Sequence, residues 1–345
     1  MSESYEGKQR VGIDVHRRRS VLVRMSEAGE KLETIRISND PDRLREVMGR
    51  AGEDPEVVLE ACYGWYWAAD TLAELGASVH LAHPLGVQAF AHRRVKNDER
   101  DAADLADLLR MGRLPEAWIA PPPVRELRDL VRHRAKLVAL RTSLKNQVHA
   151  VLAAAGVPVS MSDVFGAEGA KLLDRVPLAT TARARIDSAR RLIDMLEFEI
   201  DTFTRLTQAR LHRDQRYLAV QTIPGIGPIL AAVLVAEIGD ISRFARPEQL
   251  TSWAGLTPRH HESDTTVHRG RITKQGSRLV RWAAVESVQR VHPSTRIGAR
   301  RDRVAARRGR NIGAVAAARA QLELVFYALR DHHVRALRGA PASAA

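Results

Sequence analysis

Residues 11–38 hold three short β-prone runs in close succession, VGIDV, SVLVRM and KLETIRIS, with short turns between them. Turns of that length cannot hold a crossover helix, so neighbouring runs must pair antiparallel. PDRLREVMGRAG then reads as a helix ended by Gly52, EVVLEA as a strand and WYWAADTLAELG as a helix. ASVHLAH is a further strand and DERDAADLADLLRMG a further helix. A doubly wound sheet would alternate strand and helix from its start.

A three-stranded meander followed by alternating helix and strand is the order of ribonuclease-H-like folds. The expected class is therefore α/β for the N-terminal domain, residues 8–115. LPEAWIAPPP cannot continue a helix and marks the domain boundary. Beyond it Leu130, Leu137, Leu144 and Val151 recur every seven residues. A second segment carries Ile186, Ala189, Ile193, Leu196, Ile200 and Phe203 at steps of three and four. These are heptad seams of a coiled coil, or the buried stripes of an ordinary amphipathic pair, spanning residues 124–212. Residues 216–338 form a mainly α C-terminal region, and 153–181 are less regular.

Two acids interrupt apolar strands. Asp14 lies inside VGIDV and Glu60 ends VVLE. A buried acid is costly unless it is paired or holds a metal. If the strands are neighbours, both carboxylates leave the sheet at one edge. The helix that starts in KNDERDAADLADLL adds Asp98 and Asp101, with Asp104 and Asp107 at the same spacing. Each three-residue step turns about 300°, so the row drifts about 60° per step and Asp107 opposes Asp98. One adjacent pair can serve one site. Four carboxylates suit one or two Mg²⁺ ions, which take hard oxygen ligands. Singly, each acid has a plainer role: Asp98 and Asp101 as a helix cap and a first-turn acid, Asp14 in a turn.

Lys and Arg number 54 against 41 Asp and Glu, a net charge of +13. With a pI near 10.6, a polyanionic partner is expected. Aromatic residues are 5%, which excludes a large base-stacking platform. The longest apolar run, Ile229–Ala236, is far short of the ~20 residues of a membrane span. The N-terminus is polar, and the lone Cys62 reads as a small buried residue. Together these point to the reducing cytoplasm, with no membrane.

Pro224-Gly225-Ile226-Gly227 precedes a helical segment. Glycines there let a backbone approach phosphate at a helix N-terminus, as in a helix-hairpin-helix module, or else make a tight helix–helix turn. Arg259, Arg269, Arg271, Lys274, Arg278 and Arg281 concentrate positive charge downstream, with Gly270 and Gly276 breaking the stretch into loops. Phosphate contact is their natural role. His260 and His261 lack any accompanying zinc-ligand spacing.

GIDVH, the LEA around Glu60, and Lys96-x-Asp98-x-x-Asp101-Ala102 resemble the DEDD transposases of the insertion sequence one-ten family. Asn97 stands where that family carries Thr. The stretch from Arg216 to about Arg290 resembles the family's C-terminal transposase domain: a GL-x-P loop, a serine segment, then G-R-I-x-K-x-G. The family's Ser-Ser-Gly-Gly is replaced here by Glu262-Ser263-Asp264-Thr265, and the spacing from Gly255 to Gly270 assigns Ser263 the nucleophile position. The resemblance implies a RuvC-like domain whose Asp14, Glu60, Asp98 and Asp101 hold Mg²⁺. It also implies a covalent phosphoserine link to DNA, a structured noncoding guide RNA, and a homo-oligomer, dimeric or tetrameric when active. A metal-dependent nuclease using water, or a non-enzymatic nucleic-acid binder, are the alternatives.

The charge balance predicts binding to nucleic acid mainly through phosphates. Affinity should fall steeply between about 50 and 200 mM salt as counterions are released. A filter-binding titration that is flat over that range would refute it.

Overall fold

The computed structural model describes residues 5–90, 97–263 and 266–335, without the side chains of His261 and 266–269. Lys96, Asp264 and Thr265, which carry parts of the two motifs, lie outside the described residues, as does the side chain of Arg269. The chain divides into two compact units, Met1–Ile119 and Ala120–Ala345.

The first unit runs β1 (Arg10–Val15), β2 (Arg19–Met25), β3 (Lys31–Ser38), α1 (Pro41–Met48), β4 (Glu56–Glu60), α2 (Tyr66–Glu74), β5 (Ser78–Ala82), α3 (Pro84–Val87), α4 (Asp98–Arg110) and β6 (Glu116–Ala117). Its sheet has the order β3-β2-β1-β4-β5-β6. The first three strands form the expected antiparallel meander. β1, β4 and β5 are parallel, so α2 supplies the crossover between the last two. The sheet departs from the expectation at its edge. Glu116 and Ala117, within the proline-rich boundary segment, pair antiparallel with β5.

The two faces of the sheet are covered differently. Val11, Ile13, Val15, Val57 and Leu59 meet Leu44, Val47, Ala68 and Leu72, from α1 and α2. Side chains alternate along a strand, so Gly12 and Val58 face the other way. Val58 packs there with Ala82 and Leu105 of α4. A Cβ built on Gly12 would stand 1.8 Å from the Ala102 carbonyl oxygen and 3.0 Å from the Ala106 nitrogen. Helix α4 therefore lies directly on β1, at a distance only glycine permits.

The second unit comprises α5 (Pro122–Ala154), α6 (Ala167–Arg175), α7 (Thr180–Leu211), α8 (Gln215–Gln221), α9 (Pro228–Ile238), α10 (Pro247–Trp253), β7 (Pro258–Ser263), β8 (Thr266–Ile272), α11 (Arg278–Gln289), α12 (Arg296–Arg308) and α13 (Arg310–Asp331). α5 and α7 pair antiparallel. Arg134 Nε donates to Thr204 Oγ1 at 2.7 Å, while Arg141 and Lys145 both reach Glu197. Ile186, Ala189, Ile193 and Ile200 of the expected seam are buried, with Leu196 and Phe203 half-buried. At one end of the pair Val148, Val151 and Leu152 close over α6. At the other, Leu127 and Val131 enter a core shared with α8–α11 and α13.

α13 is a helix that no sequence motif announces. It is long and apolar enough to cross a membrane by length and composition alone. Here Ala317, Leu322, Val325 and Phe326 are in the core, which accounts for its apolar character. Cys62 is half-buried, its thiol 3.3 Å from the Val15 carbonyl.

The Gly12 contact predicts that Gly12→Ala lowers stability by about 1–3 kcal/mol or more, as overpacking of backbone against backbone does. Hydrogen exchange of β1 and α4 amides in the full chain should accelerate. Unchanged exchange there would show that α4 can shift at no cost.

Candidate functional site

Asp14 follows Gly12 by two residues and so shares its face, under the first turn of α4. Asp98 opens that helix, one turn before Ala102. The strand pair Gly12/Asp14 thus faces the helix pair Ala102/Asp98. Asp14 is 7% exposed. Its Oδ2 lies 3.1 Å from His16 Nε2, which lies 3.2 Å from Asp98 Oδ2. Ligand atoms of Asp14, His16 and Asp98 all fall within 4.8 Å of one another.

Sequence reasoning misses His16, although it ends the GIDVH motif. Its signal is position: it is two residues beyond Asp14, just past the end of β1. Its backbone is fixed by Asn39, whose Nδ2 donates to the His16 carbonyl at 2.6 Å, while Ser20 Oγ donates to Asn39 Oδ1. Arg19 Nη2 donates to Asp98 at 3.4 Å.

The helix start is equally determined. Asn97 is the N-cap, its Oδ1 accepting from the Glu99 N–H at 3.0 Å. The cap alternative for Asp98 is thereby corrected: Asn97 does that work and leaves the Asp98 carboxylate to the site. Glu99 accepts from Lys31 Nζ at 2.6 Å and from Thr34 Oγ1, which ties the first turn of α4 to β3. The Lys31 hydrogen bond holds the Glu99 carboxyl below its usual range.

The register Ile13↔Leu59 leaves Asp14 and Glu60 as adjacent ends of parallel strands, and Glu60 shares the α4 face with Val58. Glu60 and Asp101 are both half-buried and stand outside the tight Asp14–His16–Asp98 group. Asp107 is taken up by Arg110 at 2.9 and 2.7 Å, and Asp104 is exposed. Two buried-to-half-buried carboxylates, fixed by sheet and helix, offer the oxygen donors that a hard divalent cation takes, and the imidazole beside them is a borderline donor that orients both.

In the second unit the glycine pair separates. Gly225, at φ 86°, packs its Cα against α11, where a Cβ would meet the Ser287 carbonyl oxygen at 2.0 Å. That is the tight helix–helix turn, and it corrects the expectation of phosphate approach at this residue. Gly227 caps α9, with open space around the position of a Cβ.

The stretch expected to form glycine-broken loops is a β-hairpin. Gly270 lies inside β8, and Ser263, the last residue of β7, pairs with Thr266. Ser263 is exposed, as are Arg259, Arg271, Lys274 and Arg278. The base of the hairpin is clamped. Lys274, in the left-handed region at φ 58°, donates its N–H to the Gly255 carbonyl. Arg281 is spent here rather than on phosphate: its Nη1 donates to the carbonyls of Ala254, Gln275 and Gly276.

An α/β unit whose acids converge at a strand end, followed by a basic helical unit, defines a class of protein equipped to hold a divalent cation and to attract a polyanion. Two family models meet the chain. One, described as the DEDD transposase of IS110, matches residues 11–156, and one described as the transposase IS116/IS110/IS902 family matches residues 217–304. The chain belongs to the IS110 transposase family. It is 29% identical to a probable family 20 transposase of Pseudomonas aeruginosa over 68% of this chain and 70% of that protein. It is 27% identical to the transposase for insertion sequence element IS1111A of Coxiella burnetii, over 68% and 65%. A shorter match, 43% over 56 residues, is to the pilin gene-inverting protein of Moraxella bovis, covering 16% of this chain and 17% of that one.

The geometry predicts that Asp14→Asn and Asp98→Asn each weaken Mg²⁺ or Mn²⁺ binding about tenfold or more, equivalent to about 1.4 kcal/mol. Asp104→Asn should bind like the wild type. Calorimetric titration that ranks Asp104 above Asp98 would move the site along the helix.

Proposed function

We propose that this protein is a DNA transposase or site-specific recombinase that cuts and rejoins strands through Ser263, with a divalent-metal site on the N-terminal unit. The observation that carries the reading is the meeting of Asp14 and Asp98 across the β1–α4 contact, in a chain that two models of one transposase family match. The sheet order β3-β2-β1-β4-β5 supports a ribonuclease-H or RuvC-like assignment for this unit.

In this reading Asp14, Glu60, Asp98 and Asp101 would hold Mg²⁺, which would supply positive charge to offset the negative charge that builds at the phosphate. His16 and Arg19 orient Asp14 and Asp98. Ser263 Oγ attacks the phosphorus, forming a phosphoserine bond to the DNA 5′ end. The bond to the 3′ oxygen breaks, and the proton lost from serine is balanced by one gained on that oxygen. Arg259, Arg269, Arg271, Lys274 and Arg278 contact phosphates, and the exposure of Arg259, Arg271, Lys274 and Arg278 suits that role.

The carboxylate domain comes from another subunit, which requires at least a dimer, and joining two duplexes calls for four copies. The α5–α7 pair serves as the coiled-coil contact. A structured noncoding RNA pairs with target and donor DNA, leaving the protein to read backbone and shape.

A suicide substrate nicked near the cleavage site tests the chemistry. The wild type should become attached to a DNA 5′ end and Ser263→Ala should not. Asp98→Asn should abolish cleavage and keep DNA binding. Attachment mapped to Ser277 would move the nucleophile. Cleavage with no adduct in any variant would replace this mechanism with a metal-activated-water nuclease.

A further inference from the structure

The strongest charge asymmetry lies outside both sites, on α12. Residues 296–310 contain seven arginines and one acid. The acid, Asp302, is held by Arg301 at 2.8 Å. Arg301 is structural in a second way, since its Nη1 donates to the carbonyls of Val288, Gln289 and Val291 at the end of α11.

Four of the others fall in line. Arg296, Arg300, Arg303 and Arg307 are spaced four, three and four apart, so at about 100° per residue they stay within about 60° of one another. All four are exposed, and none has an ion-pair partner among the described residues. Gly298, opposite the row, and Ile297, at its flank, are the residues of α12 buried against the protein. The row is about 16 Å long.

Apart from Arg307, which opposes the negative pole at the last turn, this arrangement works against the helix that carries it. Arg296 places a cation at the positive end of the dipole. Arg296/Arg300, Arg300/Arg303 and Arg303/Arg307 are like-charge neighbours. Exposed arginines on other helices are paired with acids, as in Arg45–Asp42 and Arg205–Asp201. A merely solvated face would show that mixing.

We propose that the Arg296–Arg300–Arg303–Arg307 face of α12 is a docking surface for the phosphate backbone of duplex DNA. The inference rests on the reading of the protein as DNA-acting. A membrane is a poor occupant, because an interfacial helix needs large apolar residues to insert, and of the two on α12 Ile297 is buried and Val304 half-buried. A protein partner is equally poor, since interface cores are depleted in charge. Single-stranded RNA calls for stacking groups, and α12 has no aromatic residue. A straight row of guanidiniums suits a regular line of phosphates.

The test is fluorescence anisotropy of the full chain with a labelled mixed-sequence duplex. R296Q/R300Q/R303Q/R307Q should lose affinity about tenfold or more at physiological salt, and the log–log salt slope should flatten by about 0.9 for each phosphate that is no longer neutralised. Should that variant misfold, R300Q/R307Q carries the same prediction with about half the slope change. R43Q/R113Q/R175Q/R213Q removes equal charge from exposed positions elsewhere and should keep the wild-type slope. Unchanged binding in the α12 variants overturns the proposal. So does an equal drop in affinity in both fourfold variants, which would make the effect one of bulk charge. A drop confined to a structured RNA probe, with duplex DNA unaffected, assigns the face to RNA and also overturns it. A wild type with no affinity for duplex DNA would instead remove the DNA-acting reading itself.

Discussion

The carbonyl of Ala102 lies so close to Gly12 that no side chain fits between strand and helix. This contact sets the height of α4 over the sheet, and much else in the N-terminal unit follows from it. A helix raised by even a methyl group would lift Asp98 away from Asp14. The acids meet because each is placed relative to that contact, Asp14 two residues along the strand and Asp98 one turn back along the helix. Asn97 and Glu99 then fix where the helix starts and how its first turn sits on β3. The site is built on regular elements, which hold geometry better than loops do.

The second unit is organised around a buried charge. Glu237 in α9 is 3% exposed. Arg132 of α5 donates to both of its oxygens at 2.7 and 3.1 Å, and Ser277 Oγ donates at 3.0 Å. Arg128 and Arg243 donate to the carbonyls of Ala236, Glu237 and Ile238 at the end of the same helix. Cations at a helix C-terminus oppose its negative pole. Burial, and then the charge of Arg128, lower Arg243 to about 10, which still leaves it charged at neutral pH. Ser277 is also the N-cap of α11, immediately after the hairpin base. A charge buried in α9 is thus linked to the segment that presents Ser263.

What the sequence makes legible follows periodicity and cost. The meander is legible because alternation over three short runs has few other solutions. Asp14 is legible because an acid in an apolar strand demands a reason. His16 is not, since a histidine after a strand carries no cost by itself; only the fold puts it between two carboxylates. Gly225 is ambiguous because a glycine that admits phosphate and one that admits another helix look alike in one dimension. The β7–β8 hairpin resembles a pair of loops because its residues are basic and polar, with Gly270 in mid-strand. Its pairing is enforced at the base, by contacts of Gly255 and Gly276 with backbone far along the chain. α13 is hidden as an apolar helix because arginines interrupt its sequence.

The net charge of +13 does not convert directly into a binding surface. Many arginines here neutralise helix ends rather than phosphates. Arg128 and Arg243 do so on α9, Arg301 on α11, and Arg183 on the carbonyls of Leu173 and Val176 beside α6. A guanidinium is suited to this, because its planar fork satisfies several carbonyls at once and stays charged when buried. Lysine would serve poorly, being more strongly hydrated. Arginine-rich composition therefore has two sources in this chain, and only geometry separates them. A cation that donates to carbonyls is part of the fold. Arg296, Arg300 and Arg303, exposed like-charge neighbours short of the last turn of α12, have no such internal use, and their charge is directed outward.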